Sequence, residues 1–161
     1  MSRGGSLVLE SLEQLPLEEL ERLHFDRFCA QLAAEEEIFL PSRAELVALA
    51  RRVVKHALRE LQFHVHVEAC AQLSGELLAN AVRHAGGRTL GLRLTRAPGR
   101  LRFEVRDSSR ALPCRIVAEP GGENGYGLAI VEALSERWGA DLLPRGKGVW
   151  FELKVRERQL G

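Results

Sequence analysis

Gly75-Glu76-Leu77-Leu78-Ala79-Asn80-Ala81-Val82-Arg83-His84-Ala85 is the stretch on which the rest of the chain turns. Its apolar residues recur at helical spacing, and Gly86-Gly87 follows as a stop signal. Glu76 and Asn80 are four residues apart, so they share one helix face. At about 100° per residue, Asn80 lies roughly 40° from Glu76, with Leu73 at about 60° and Leu77 at about 100°. The polar pair therefore borders the apolar stripe. A carboxylate and a carboxamide at the edge of a core suit a hard cation and a positioned proton acceptor, which is where a nucleotide site begins.

Upstream, Ser42 and Glu45 form a capping-box pattern that predicts a helix to about Leu61, with Leu46, Leu49, Val53, Ala57 and Leu61 as its buried stripe. Ile38-Phe39-Leu40 reads as a short strand. From Ser11 to about Ala34 the pattern is helical again, with Pro16 suited to a helix start, and residues 1–6 read as disordered. Downstream, Leu90, Leu92 and Leu94 alternate, Pro98-Gly99 turns the chain, and Leu101, Phe103 and Val105 alternate back as a hairpin. Ser108 to Asn124 has no periodicity, and so long an irregular segment in a compact domain is usually functional or mobile. A helix is predicted from about Tyr126 to Trp138, then strands near Asp141–Leu143 and Val149–Val155 around Pro144-Arg145-Gly146. Hairpins plus adjacent helices predict a two-layer α/β sandwich, with a mixed, mostly antiparallel sheet covered by helices on one face. Residues 1–35 read as an N-terminal extension and residues 36–158 as the domain proper.

Composition narrows the function classes. The chain has 161 residues and a net charge of +1, which gives no global field for nucleic acid or membrane. Only Lys55, Lys147 and Lys154 are lysines; the other basic residues are arginine. Cys29, Cys70 and Cys114 are odd in number, widely spaced and without a Cys-x-x-Cys, against a disulfide framework or zinc. Cys70 falls on the apolar side of the motif helix, as a small core residue would. No apolar run approaches the roughly 18 residues needed to span a bilayer, and no signal-peptide core follows Met1. The expectation is a cytoplasmic protein.

Two further features could carry chemistry. Asp107 stands where an alternating strand gives way to the irregular segment, in Val105-Arg106-Asp107-Ser108-Ser109. It can accept a hydrogen bond from an exocyclic amine such as that of adenine, or simply form a turn. Gly121-Gly122-Glu123-Asn124-Gly125-Tyr126-Gly127 runs into a predicted helix. Four glycines in seven residues let backbone N–H groups approach an anion at a helix N-terminus, or serve as a linker and helix entry. It is neither a Walker A loop nor a dinucleotide fingerprint.

The order of these features resembles the GHKL ATPase superfamily, the gyrase, histidine-kinase and MutL nucleotide fold. It is most similar to the small single-domain branch, the bacterial anti-sigma-factor serine kinases and related ATP-binding regulators. Glu76-Leu-Leu-Ala-Asn80-Ala-Val-Arg-His84-Ala matches the family's N box, Asp107-Ser-Ser a degenerate first glycine box, and Gly125-Tyr-Gly127-Leu128 the second, over roughly Ile38 to Arg156. The resemblance implies that Asn80 holds Mg²⁺ bridging the phosphates of ATP, and that Glu76 is the general base. It implies that Asp107 reads the adenine amino group, that Gly121, Gly122, Gly125 and Gly127 form the lid around the phosphates, and that Ser109, Tyr126 and Leu128 are further nucleotide-binding residues. Arg83 and His84 become candidates for phosphate or ribose contact. Two departures stand out: Ser108 and Ser109 replace the first-box glycines, and Gly146-Lys147-Gly148-Val149 lacks the threonine that often helps hold adenine.

The implied function is a regulatory protein that binds Mg-ATP, phosphorylates a serine of an anti-anti-sigma (STAS-type) partner and sequesters a sigma factor, as a homodimer. The alternative is a non-catalytic ATP-binding interaction module in transcriptional regulation. A third reading, the catalytic piece of a sensor histidine kinase, rests on His24-Phe25-Asp26-Arg27 and lacks the usual acid and downstream proline after the histidine. Segment 7–35 reads as a helix packed on the sheet or a dimer partner, or as a docking helix.

Overall fold

The computed structural model describes residues 16–84, 89–107 and 135–155. Its elements run α1 (Leu17–Ala33), β1 (Ile38–Pro41), α2 (Leu46–Glu60), a 3₁₀ turn (His64–His66), α3 (Val67–His84), β2 (Thr89–Ala97), β3 (Arg100–Asp107), β4 (Arg137–Leu143) and β5 (Gly146–Lys154). The strands form one five-stranded sheet in the order β1-β2-β3-β5-β4, and every described pairing is antiparallel. The two-layer α/β sandwich expected from the sequence is what forms.

The sheet's inner face is built from rows of apolar residues that meet in register. Leu94 lies opposite Phe103, Phe103 opposite Phe151, and Phe151 opposite Trp138. The next row runs Ile38, Leu92, Val105, Val149 and Ala140. The Phe103 and Phe151 rings sit 5.6 Å apart and tilted, an ordinary aromatic packing. Helix α3 packs on β3 and β5, and its buried Leu73, Leu77 and Leu78 share one core cluster with these rows and with the buried Leu49, Val53 and Ala57 of α2. Alternation in the strands and 3.6-residue spacing in the helices thus converge on one core. The hairpin turn holds Gly99 at φ 72°, a left-handed conformation that a side chain would resist.

The N-terminal helix belongs to this core. Leu20, Phe28 and Leu32 of α1 are buried, and α1 packs chiefly on α2. Phe25 meets the His56 ring edge-on at 5.1 Å; Arg52 lies 5.1 Å above the Phe25 ring and donates to Glu21 Oε1 at 2.7 Å. Both α1 and α2 end in a left-handed residue that is not glycine, Glu35 at φ 62° and Gln62 at φ 66°. In each case the next N–H bonds back across the last turn, Glu36 to Gln31 O and Phe63 to Leu58 O, both at 2.9 Å.

The structure corrects the sequence reading in three places. Helix α2 begins at Leu46, with no side-chain cap, so the Ser42/Glu45 capping box does not form. The preceding backbone turn satisfies the first donors instead, Leu46 N–H to Arg43 O and Val47 N–H to Ala44 O, while Glu45 pairs with Arg43. Leu61, assigned to the buried stripe, is its C-cap and only half-buried. Trp138, predicted to end a helix, lies in β4, where pairing with β5 packs Trp138 and Ala140 against the core. The last hairpin is accordingly longer than the sequence suggested.

Candidate functional site

Helix α3 is the one that crosses the layer boundary onto β3 and β5, over the middle of the sheet. Its Cys70, Leu73, Leu77, Leu78 and Ala81 are buried, so its register is fixed. That register leaves Glu76 half-buried and brings Asn80 to 9% exposure. Among the described residues Asn80 Nδ2 has no hydrogen-bond partner. A buried N–H donor left unsatisfied costs about 1–3 kcal/mol, which fits a group held ready for an acceptor such as a phosphate oxygen. An amide oxygen one helical turn from a carboxylate is also a donor set that Mg²⁺ accepts alongside phosphate oxygens and water. The residues present therefore fit the implied ion.

The neighbouring hydroxyl is not part of this set. Ser74 is buried one turn before Leu78, and its Oγ donates to Cys70 O at 2.6 Å, which satisfies it inside the helix. Burial pushes the Cys70 thiol up to about 12, so it stays protonated and unreactive.

Asp107 ends β3 on the inner face, one alternation beyond Val105, and is 5% exposed. Lys147 of β5 stands directly opposite it in register and is 4% exposed. Lys147 Nζ lies 3.8 Å from Asp107 Oδ2, within ion-pair range and beyond a hydrogen bond. A groove of about 720 Å³, within the range of small-molecule pockets, opens at this end of the sheet; Asp107, Thr89, Arg106 and Arg145 are among its lining.

The structure thus brings Glu76, Asn80 and Asp107 onto elements that pack against one another. Arg83 is exposed on the last turn of α3, and His84 is its final residue. The His84 side chain lies outside the described residues, as do Ser109, Gly121, Gly122, Gly125, Tyr126, Gly127 and Leu128. Lys147, the residue paired with Asp107, was not foreseen from the sequence. The signal was available: it is the one charged residue in the inward alternation Lys147, Val149, Phe151, Leu153, but its pairing with Asp107 joins strands far apart in sequence.

The model of the histidine kinase-like ATPase domain matches residues 40–153, most of the chain. A comparison with curated proteins gave no match. Among solved structures, the chain is similar to the RsbU and RsbW domains of Rv1364c from Mycobacterium tuberculosis, with 17% identity and a TM-score of 0.53 over 74% of this chain. The match spans 32% of that chain, about a third of its length. A histidine kinase domain from an Erythrobacter litoralis blue-light activated histidine kinase matches with 16% identity and a TM-score of 0.45, over 82% of this chain and 93% of that one. Between the strand that opens the domain and the one that closes it, the matched residues take in the α3 pair and the strand-end carboxylate, and the chain belongs to the histidine kinase-like ATPase domain family.

Proposed function

We propose that this chain binds Mg-ATP and acts as a regulatory serine kinase of the partner-switching type, phosphorylating an anti-anti-sigma (STAS-type) protein while sequestering a sigma factor. The observation that carries the nucleotide part is the buried Asn80 Nδ2, a donor with no hydrogen-bond partner among the described residues, one turn beyond Glu76. Family membership supports ATP as the nucleotide. Asn80 would hold Mg²⁺, whose charge neutralises the phosphates during transfer. Glu76, half-buried at the rim of the core, would accept the proton of the attacking hydroxyl. Asp107 would accept from the exocyclic amine of the base. Arg83 and His84 are proposed contacts to phosphate or ribose, and Ser109 with the glycine-rich segment and Leu128 the remainder of the nucleotide cradle. A cytoplasmic setting and a homodimer complete the reading; among the described residues no helix is long and apolar enough to cross a membrane.

Calorimetric titration with ATP, with and without Mg²⁺, tests this in the wild type and Asn80→Ala. Binding that requires both the metal and Asn80 supports the site; metal-independent binding, equal in the two proteins, refutes the Asn80 assignment. Phosphate transfer to a STAS-type acceptor, lost in Glu76→Ala with partner binding retained, supports the kinase. Ser108-Ser109 in place of glycines favours a second reading, a nucleotide-holding interaction module. Nucleotide binding without transfer in the wild type would establish that reading instead.

A further inference from the structure

The inner face of the sheet changes character at one row. Leu101 faces Leu153, Phe103 faces Phe151 and Val105 faces Val149, all apolar and buried. The next pair is Asp107 and Lys147, equally buried and oppositely charged. Taking two charges out of water costs more than their mutual attraction returns unless geometry and further hydrogen bonds are good. At 3.8 Å the two groups attract without closing a hydrogen bond on each other. An ammonium carries three N–H donors and a carboxylate about four acceptor sites, so contacts already made within the protein do not exhaust either group.

We propose that Lys147 is a second base-reading residue, which donates to the ring nitrogen next to the exocyclic amine that Asp107 accepts from. This rests on the nucleotide reading above and adds to it a specificity determinant. The Watson–Crick edge of a 6-aminopurine presents a donor, the amine, beside an acceptor, N1. Hydrogen bonds of about 2.9 Å leaving adjacent atoms of one edge end on partners a few ångströms apart, as the carboxylate and the ammonium are. Guanine in the same position would aim its O6 at Asp107 and its N1–H at the ammonium, two mismatches in a buried setting. The pair therefore selects adenine over guanine through both residues. Lys147 stands within Gly146-Lys147-Gly148, where the chain lacks the threonine often used in this superfamily.

The test is nucleotide binding by the intact wild-type chain in the presence of Mg²⁺, with ATP, GTP and 1-deaza-ATP, in which the N1 acceptor is replaced by C–H. The expected result is that 1-deaza-ATP binds about ten- to a hundredfold more weakly than ATP, the loss of one charge-assisted hydrogen bond, and GTP more weakly still. Lys147→Met should weaken ATP by a similar factor and abolish the difference between ATP and 1-deaza-ATP. Equal binding of ATP and 1-deaza-ATP by the wild type overturns the role of Lys147 while leaving ATP binding intact. GTP binding as tightly as ATP overturns it too. Absence of binding by all three overturns the nucleotide reading itself and this inference with it. The wild-type comparison decides the matter even if Lys147→Met fails to fold.

Discussion

The two faces of the sheet are made from the same strands and held by different forces. On β3, Leu101, Phe103 and Val105 point inward, each no more than 1% exposed, while Arg100, Arg102, Glu104 and Arg106 point outward. The outward side chains form a layer of their own. Arg102 lies 4.1 Å above the Trp150 ring, Arg106 Nε donates to Glu104 at 2.6 Å, and Arg137 Nε donates to Glu152 at 2.8 Å. Trp150 presses close on Gly139, where an added Cβ would come within 2.7 Å of the indole. The inner face is specified by removal of apolar area from water, the outer by charge pairs that water screens. The Asp107–Lys147 row is the exception that sharpens the contrast, since it places the outer face's chemistry on the inner face at the end of the sheet.

The largest effect should come from the inner rows. Phe103→Ala should cost about 3–5 kcal/mol, measured by denaturant unfolding with unchanged slope. A cost no larger than that of an outer-face change would break the contrast. Breaking the polar inner row should come next. Lys147→Met should cost about 3 kcal/mol by leaving Asp107 buried beside an apolar side chain, and the double change Asp107→Leu with Lys147→Met should recover most of it. Additive losses would mean that the two groups act independently. In α1, Leu20→Ala should cost about 2–3 kcal/mol, because that helix buries the side chain within the same core.

Effects on the outer face should be smaller. Arg102→Ala should cost about 1 kcal/mol, the sum of one stacked cation and partly exposed ion pairs. Much of that difference should vanish in 1 M salt, where the screening length falls to about 3 Å; a salt-independent loss would mean that Arg102 acts by packing. The smallest effect is no reaction at all. Burial pushes the thiol of Cys70 to about 12 and that of Cys29, with Asp26 and Glu60 adding to it, to about 11. Both stay protonated at pH 8, so a thiolate-selective reagent should leave them unlabelled until the protein unfolds, and rapid native labelling of either would show that the core opens.

How far the sequence reached follows from the range of each interaction. The α3 pair was legible because Glu76 and Asn80 are related by one helical turn, and the period of Leu73, Leu77 and Ala81 says which way that face points. The β2–β3 hairpin was legible because its turn, Pro98-Gly99, is local. The capping box misled because Ser42 and Glu45 carry the right residue types, yet Arg43 takes up the carboxylate and the backbone satisfies the helix start. Trp138 misled because one apolar residue fits a helical and an alternating pattern alike, and pairing with β5 decided between them.

The sequence by itself determined the family, the two-layer architecture and the Glu76/Asn80 pair, since each rests on local periodicity or on the order of short motifs. Only the tertiary structure decided that α1 belongs to the core, that Asn80 is largely buried, and that Lys147 faces Asp107. The first two depend on how helices distant in sequence pack on one another and on the sheet; the third depends on register between strands separated by a long stretch of chain, and no local period encodes which residue of one strand will stand opposite which residue of another.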